Sequence, residues 1–316
     1  MTAPTGTFLT TAAIGNREDL TDIIYRISPT MTPFMNLASK GKATNTLHEW
    51  QTQDLASAVT NNAAVEDDVA GAGSTVPVGK TITPTTRLTN RTQISTKTVI
   101  VSGTQQAMNP AGRKDEMGYQ LSLASLELKR DMESSATQLD VLATAPRQSR
   151  GLLGWCYDNS SNGGGSYAAA SYTANTGQTN GTQRAFTEAQ MKSVLQLIYT
   201  AGGEPDVIML PPAAKQTFST FTGNATRMDK SEDSKLYASV DVYVSDFGEL
   251  KAVPNRFQRA RDVFILQSDK WAISYLRPFS TIELAKLGDS DQRQLVVEWT
   301  VEARAPKANG AVFDIL

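Results

Sequence analysis

RKDEMGYQLSLASLELKRDMESSATQLDVLATA, residues 113–145, is the one long helix that this chain of 316 residues writes plainly. Asn109-Pro110-Ala111-Gly112 stands before it and Pro146 after it, so a helix breaker marks each end. Between them Met117, Leu121, Ala124, Leu128, Met132, Leu139 and Leu142 recur mostly in steps of three or four, the spacing of one helix face. At about 1.5 Å per residue such a helix spans roughly 45 Å, well beyond the usual three turns. Glu127, Lys129, Arg130, Asp131 and Glu133 take the other faces, with Lys129 and Glu133 one turn apart, while Leu123 and Leu126 lie off the main stripe. This pattern fits a long core helix with a solvated face. It fits equally a strut that packs a sheet on one side and meets other subunits elsewhere, and periodicity does not choose.

Upstream, residues 1–40 read as an arm. Asn16 can cap a short helix with Leu20, Ile23, Ile24 and Ile27 on one stripe, Ser28-Pro29 stops it, and Thr32-Pro33 opens a second short turn through Phe34-Met35. From Gly41 to Gly103 threonine becomes frequent and aliphatic residues sparse, which favours extended chain. Thr46–Trp50 is expected as an outgoing strand and Arg91–Val101 as the returning one, with a loose tip near Asn61-Asn62 and Gly71-Ala72-Gly73. Such a polar hairpin has no core of its own and must lie on another surface. Glu66-Asp67-Asp68 in the tip lacks the ligand alternation and central glycine of an EF-hand, so it reads as solvated.

Downstream, Asp158–Gln183 holds Gly163-Gly164-Gly165 and many Ser, Thr and Asn, and is expected as a flexible surface connection. Order returns at Phe186, where Thr187 and Gln190 spell a capping box stapled by Phe186 and Met191. Met191, Val194, Leu195 and Ile198 give a buried stripe. Asp206–Leu210 reads as an apolar strand, and Pro211-Pro212 opens a helix through Phe218. Val240, Val242 and Val244 alternate as a half-buried strand would, and Val263–Leu266 and Trp271–Leu276 add two more. Ser280–Leu287 and Gln292–Arg304 flank the turn Gly288-Asp289-Ser290-Asp291, with Val297, Trp299 and Val301 on one face and Glu298, Thr300 and Glu302 on the other.

Composition narrows the function. A net charge of −2 leaves no basic footprint for reading nucleic acid. The single Cys156 permits no internal disulfide and fits a reducing compartment, and with the single His48 it cannot assemble the usual zinc ligand sets. No signal peptide, apolar span of membrane length, phosphate-binding loop or dinucleotide turn is present. The carboxylates Glu298 and Glu302 invite a glycosidase reading, but an exposed strand face has the same letters.

The order of parts, namely arm, polar hairpin, strut helix, compact unit and returning strands, resembles the major capsid proteins of tailed bacteriophages, with the α+β Hong Kong 97-like fold. Individual stretches are similar to the SU10-like podophage branch. They are Arg17-Glu18-Asp19-Leu20, Ile27-Ser28-Pro29-Thr30-Met31-Thr32-Pro33-Phe34, His48-Glu49-Trp50-Gln51-Thr52-Gln53-Asp54-Leu55 and Glu127-Leu128-Lys129-Arg130-Asp131-Met132-Glu133. Later ones are Tyr243-Val244-Ser245-Asp246-Phe247-Gly248, Leu276-Arg277-Pro278 and Leu287-Gly288-Asp289-Ser290.

The resemblance implies an N-terminal arm over a neighbouring subunit at 1–40 and an extended loop on the adjacent capsomer member at 41–104. It implies a peripheral domain at 105–185, with spine helix 113–145, completed by the strands of 272–316, and an axial domain at 186–271. It further implies a structural protein, not an enzyme, with no catalytic residue, cofactor or metal. Copies would assemble as pentamers and hexamers of an icosahedral head around double-stranded DNA, touched non-specifically. Assembly would take place in the host bacterial cytoplasm and the product would reside in the virion, without a membrane. A separate scaffold protein and a portal are the expected partners, with room for a decoration protein, because the arm begins almost at Met1. No Lys–Asn cross-link is expected. Three readings compete: an encapsulin-like nanocompartment shell, a carbohydrate-active enzyme using Glu298 or Glu302, and a fibre or decoration module, which the lack of repeats opposes.

Overall fold

Strand alternation near the C-terminus builds the central sheet. In β13 (Ser290–Ala303) the side chains of Val297, Trp299, Val301 and Ala303 are fully buried on one face. This strand pairs antiparallel with β12 (Trp271–Glu283) on one side and β4 (Gln93–Ser102) on the other, and β1 (Ser39–Lys42) adds to β12 in parallel. The sheet order is β1-β12-β13-β4. This computed structural model describes residues 30–55, 58, 82–108, 115–221 and 242–316. The expected helix over Leu20–Ile27, the ribbon tip 59–77 with Glu66, Asp67 and Asp68, the residues 113 and 114, and Val240 lie outside them.

The long helix, α3 (Glu116–Gln138), crosses the inner face of that sheet, with the Asp115 carboxylate accepting the Met117 N–H at 3.1 Å as N-cap. Ala124, Leu128, Met132 and Ala136 enter one core with Trp271, Ile273, Val297, Trp299 and Val301. The helix ends seven residues short of the expected Ala145. Leu139 is already extended, and the chain turns into a small hairpin of β5 (Ala143–Thr144) and β6 (Arg147–Gln148). At this end the Thr137 and Gln138 side chains both donate to the Phe257 carbonyl, at 3.3 and 2.6 Å, and the Leu139 carbonyl accepts the Gly151 N–H at 2.9 Å in place of a helical partner. Glu133, expected on a solvated face, is fully buried.

A second sheet, ordered β7-β14-β11-β8-β10-β9, stands beside the first. Its central strands β8 (Val207–Leu210) and β11 (Val263–Leu266) are buried throughout, because the sheet is covered on both faces. Met209, Phe264, Leu266, Ala311 and Phe313 face the first core. Ile208, Leu210, Val263, Ile265 and Val312 face a second core under α5 (Glu188–Thr200) and α6 (Pro212–Phe218). The expected capping box is present, with Gln190 accepting the Thr187 N–H at 3.2 Å. Along β9 (Val242–Ser245) the alternation is real but its phase is reversed: Tyr243 is buried, with its hydroxyl 3.0 Å from Glu188, while Val242 and Val244 are exposed. β10 (Gly248–Pro254) joins β9 to β8. β7 (Asn159–Ser161) and β14 (Gly310–Val312) complete the other edge.

Two further expectations change. The outgoing strand β2 (Leu47–Thr52) pairs with β3 (Thr86–Arg91), while Gln93–Ser102 leaves the ribbon and zips along β13. The strands expected separately at Trp271–Leu276 and Ser280–Leu287 are one: β12 runs on through Pro278, with register shifts between Tyr275 and Ser280 that accommodate the missing N–H.

Leu128→Ala should lower stability by about 2–5 kcal/mol, as expected for a large side chain removed from a packed core. Leu128→Asp should abolish the cooperative melt, since a buried charge without a partner is far more costly. A native urea or thermal transition in Leu128→Asp would show that this stripe is not core.

Candidate functional site, a ribbon anchor

A two-stranded polar ribbon is marginal alone, so the residues that hold β2–β3 to the body decide where it points. Alternation places His48 and Trp50 on one side of β2, and both turn inward. His48 Nε2 lies 3.2 Å from Glu302 Oε2, and Trp50 Nε1 donates to the Ala303 carbonyl at 2.8 Å. On β3, buried Asn90 donates to the Arg150 and Val301 carbonyls at 2.9 and 2.7 Å and accepts the Arg150 N–H at 2.9 Å. Farther out, Lys307 meets Asp54 at 2.6 Å.

Glu298 and Glu302 lie on the ribbon side of β13 and are not a solvated face. Glu298 is buried between Arg147 Nη2 at 2.7 Å, Arg277 Nε at 2.8 Å and Thr92 Oγ1 at 2.8 Å. Burial pushes its carboxyl up, yet the Thr92 and Arg277 hydrogen bonds and the Arg147 charge outweigh that and hold it below the ordinary value. For Glu302 the His48 hydrogen bond, against burial and with help from Ser274 and Arg304, brings the carboxyl down to about 2. Both groups are therefore ionised at neutral pH, and neither can serve as a general acid. Four residues apart on a strand, they stand roughly 13 Å from each other, beyond the separation a glycosidase pair needs. Their chemistry is anchoring.

An aromatic row, which the sequence reading missed, continues the anchor inward. His48, Trp50, Trp155, Tyr172 and Tyr157 follow one another with ring centroids 5.6, 5.5, 5.3 and 5.2 Å apart. Arg150, fully buried, lies 5.0 Å over the Trp155 ring and donates to the Asp140 and Tyr172 carbonyls and to Asn175. Burial lowers it to about 10, so it stays charged. These contacts tie down Tyr172 and Asn175, and residues 162–183 bridge on themselves at Ala168–Thr179 and Ser171–Thr176, so the expected surface connection is a surface flap with pairing of its own. Cys156 sits in the same core, its thiol pushed well up by burial.

A second junction ties the front of the chain to the rest. At α1 (Pro33–Leu37), the N–H groups of Phe34 and Met35 donate to the two Glu133 oxygens at 2.8 and 2.9 Å, and Asn255 Nδ2 donates to Oε1 at 2.7 Å. Burial raises Glu133 despite these donors. Among the described residues no three His, Cys, Asp or Glu side chains gather as metal ligands, and no helix is long and apolar enough to cross a membrane.

Glu302→Gln should cost about 1–3 kcal/mol at neutral pH, the worth of hydrogen bonds to a charged group. Because the folded carboxyl sits below its ordinary 4.5, that contribution is present above pH 4.5 and lost as pH falls towards about 2. Paired urea melts of both proteins should therefore converge in acid; a gap that persists there would mean the change acts through packing.

The sequence profile of the SU10 major capsid protein family matches residues 3–316. The chain is 29% identical to the major capsid protein of Escherichia phage Phieco32, over 95% of this chain and 94% of that protein. Its fold is similar to a chain of the cyanophage A-1(L) capsid asymmetric unit, with a TM-score of 0.66 at 16% identity, covering 97% of this chain and 98% of the other. It is also similar to a chain from the phage G structure of major capsid and decoration proteins, with a TM-score of 0.56 at 9% identity, covering 99% of each. The fold is thus α+β and Hong Kong 97-like, and the chain belongs to the SU10 major capsid protein family: it is a phage major capsid protein, a structural component of the virion rather than an enzyme.

Proposed function

We propose that this subunit builds an icosahedral phage head as pentamers and hexamers around double-stranded DNA, assembling in the host bacterial cytoplasm. The observation that carries the reading is the β2–β3 ribbon, anchored at its base and exposed in the described residues beyond it. Outward from Thr52 and Thr86 the described residues are exposed, Leu55 and Ile82 at 92% and 82% among them. A segment with no core of its own needs a second surface, and many copies supply one. Repeated weak heterologous contacts around closed rings give a stable shell.

In this reading residues 1–40 are the arm, and the extended loop expected at 41–104 narrows to about 46–92, because β1 and β4 are sheet strands. Residues 105–185 and 272–316 make the peripheral domain and 186–271 the axial one, except that β7 and β14 complete the axial sheet. Exposed Val242 and Val244 on the edge strand β9, with Leu197 and Tyr199 on α5, leave apolar surface on the axial unit for its copies. A separate scaffold and a portal serve assembly, and a decoration protein, as phage G carries, has room on the outside. A family of phage proteins does not favour the encapsulin-like alternative.

Deleting 59–77 should leave the melting transition nearly unchanged while assembly fails. Light scattering and electron microscopy of the intact chain, with and without co-expressed neighbouring phage genes, should show rings or closed shells. A strictly monomeric intact chain under every condition, scaffold included, would overturn the proposal.

A further inference from the structure

The polar ground beneath the flap 162–183 holds groups that the ribbon anchor does not use. Gly164 and Gly165, with φ of +65° and +64°, open the flap in left-handed backbone, which glycine adopts without a Cβ penalty. The base of the flap is tied to the C-terminal tail: the Gly163 and Gly181 N–H groups donate to Asp314 at 3.2 and 3.0 Å. Arg261, in the loop before β11, donates to the Gly181 carbonyl at 2.9 Å and pairs with Asp314. Arg259, in the same loop, donates to Asn180 of the flap.

Asp262 lies at the centre of these ties, fully buried. Neither of its carboxyl oxygens makes a hydrogen bond among the described residues, although Arg259 Nε comes within 3.1 Å, out of line for one. The charged and titratable groups around it are Arg259 and Arg261 from its own loop, Asp314 from the tail and Tyr167 from the flap. Gln258 directs its amide N–H groups to the Met209 and Asp262 carbonyls at 3.3 and 2.8 Å, which leaves its buried Oε1 without a donor. A carboxylate buried without hydrogen bonds is costly, and the neutral acid is the cheaper form. Burial accordingly pushes Asp262 up to about 7, against the pull of the two arginines.

We propose that Asp262 is a proton-operated latch: as the neutral acid it keeps the flap and the C-terminal tail closed, and on ionisation it draws Arg259 into line, away from Asn180, and loosens both. The proton passes between the carboxyl and solvent, and no other group changes state. Opening the flap wets the carboxyl and returns it towards its ordinary 3.8, so protonation favours the closed form. Closure is fully supported below about pH 4 and fades as pH rises through about 7.

Hydrogen exchange of the intact chain, corrected for the intrinsic pH dependence of exchange, tests this directly. Protection of peptides within 162–183 and 309–316 should fall on the order of tenfold or more between about pH 5.5 and about pH 8, with α5 and β8 unchanged. In Asp262→Asn the fall should vanish. Equal protection at both pH values, or the same fall in the variant, would overturn the latch. Should the variant fail to fold, carbon-detected NMR of the aspartate carboxyls in the unmodified chain decides. One carboxyl titrating near 7, in step with the loss of protection, supports the proposal, and ordinary carboxylate titration throughout overturns it.

Discussion

The carboxylate of Glu133 is the contact on which the rest of this subunit depends. It is fully buried on the spine helix, and it accepts two backbone N–H groups from α1 and one side-chain donor from Asn255. With Glu133 itself on α3, three places far apart in sequence meet there: residues 33–37, the long helix, and the chain that leaves β10. An unpaired carboxylate at that depth would be prohibitively costly, so the three must arrive together for any of them to be stable there. The helix α1 is a single turn, too short to persist alone, and the carboxylate supplies the acceptors that its first N–H groups lack.

Around that contact the two cores share a wall. The second sheet presents Met209, Phe264 and Phe313 to the spine helix side and Ile208, Ile265 and Val312 to α5 and α6. A wall buried on both faces resists hinge motion between the two parts, since sliding it would disturb close packing on each side. The ribbon has no such wall. It is held at its base by directional bonds, the His48–Glu302 and Asn90–Val301 contacts among them, and by Leu88 and Trp50 packed on the first core, while its described outer residues are exposed.

How much of this was legible depended on whether a signal was local. The capping box at Thr187 and Gln190 and the apolar strand Val207–Leu210 are local, and both stand as read. The end of the long helix was not legible, because Gln138 is followed by neither Gly nor Pro and the groups that meet it, the Phe257 carbonyl and the Gly151 N–H, come from elsewhere in the chain. Alternation gives a strand its period but not its phase, so the letters alone favour the valines inward, whereas Tyr243, with Glu188 as its partner, is the buried residue. The ribbon's true return strand was hidden for a related reason: Thr86–Arg91 and Gln93–Ser102 look alike in composition, and register with β13 alone separates them.

Glu298, Glu302, Arg150 and Asn90 carry the sharpest lesson about the site. In sequence a buried, fully paired carboxylate is indistinguishable from a solvated one, because the letters that neutralise it come from other strands. Apolar replacements could match such ion pairs in stability, and often do. What the paired bonds add is direction, since a hydrogen bond weakens steeply once its angle is lost. His48 on Glu302 and Asn90 between two carbonyls each accept one geometry. For a ribbon whose described residues beyond Thr52 and Thr86 are exposed, a small error in angle at the anchor grows with distance from it. Directional bonds at the base are therefore what set the line along which the ribbon leaves the body.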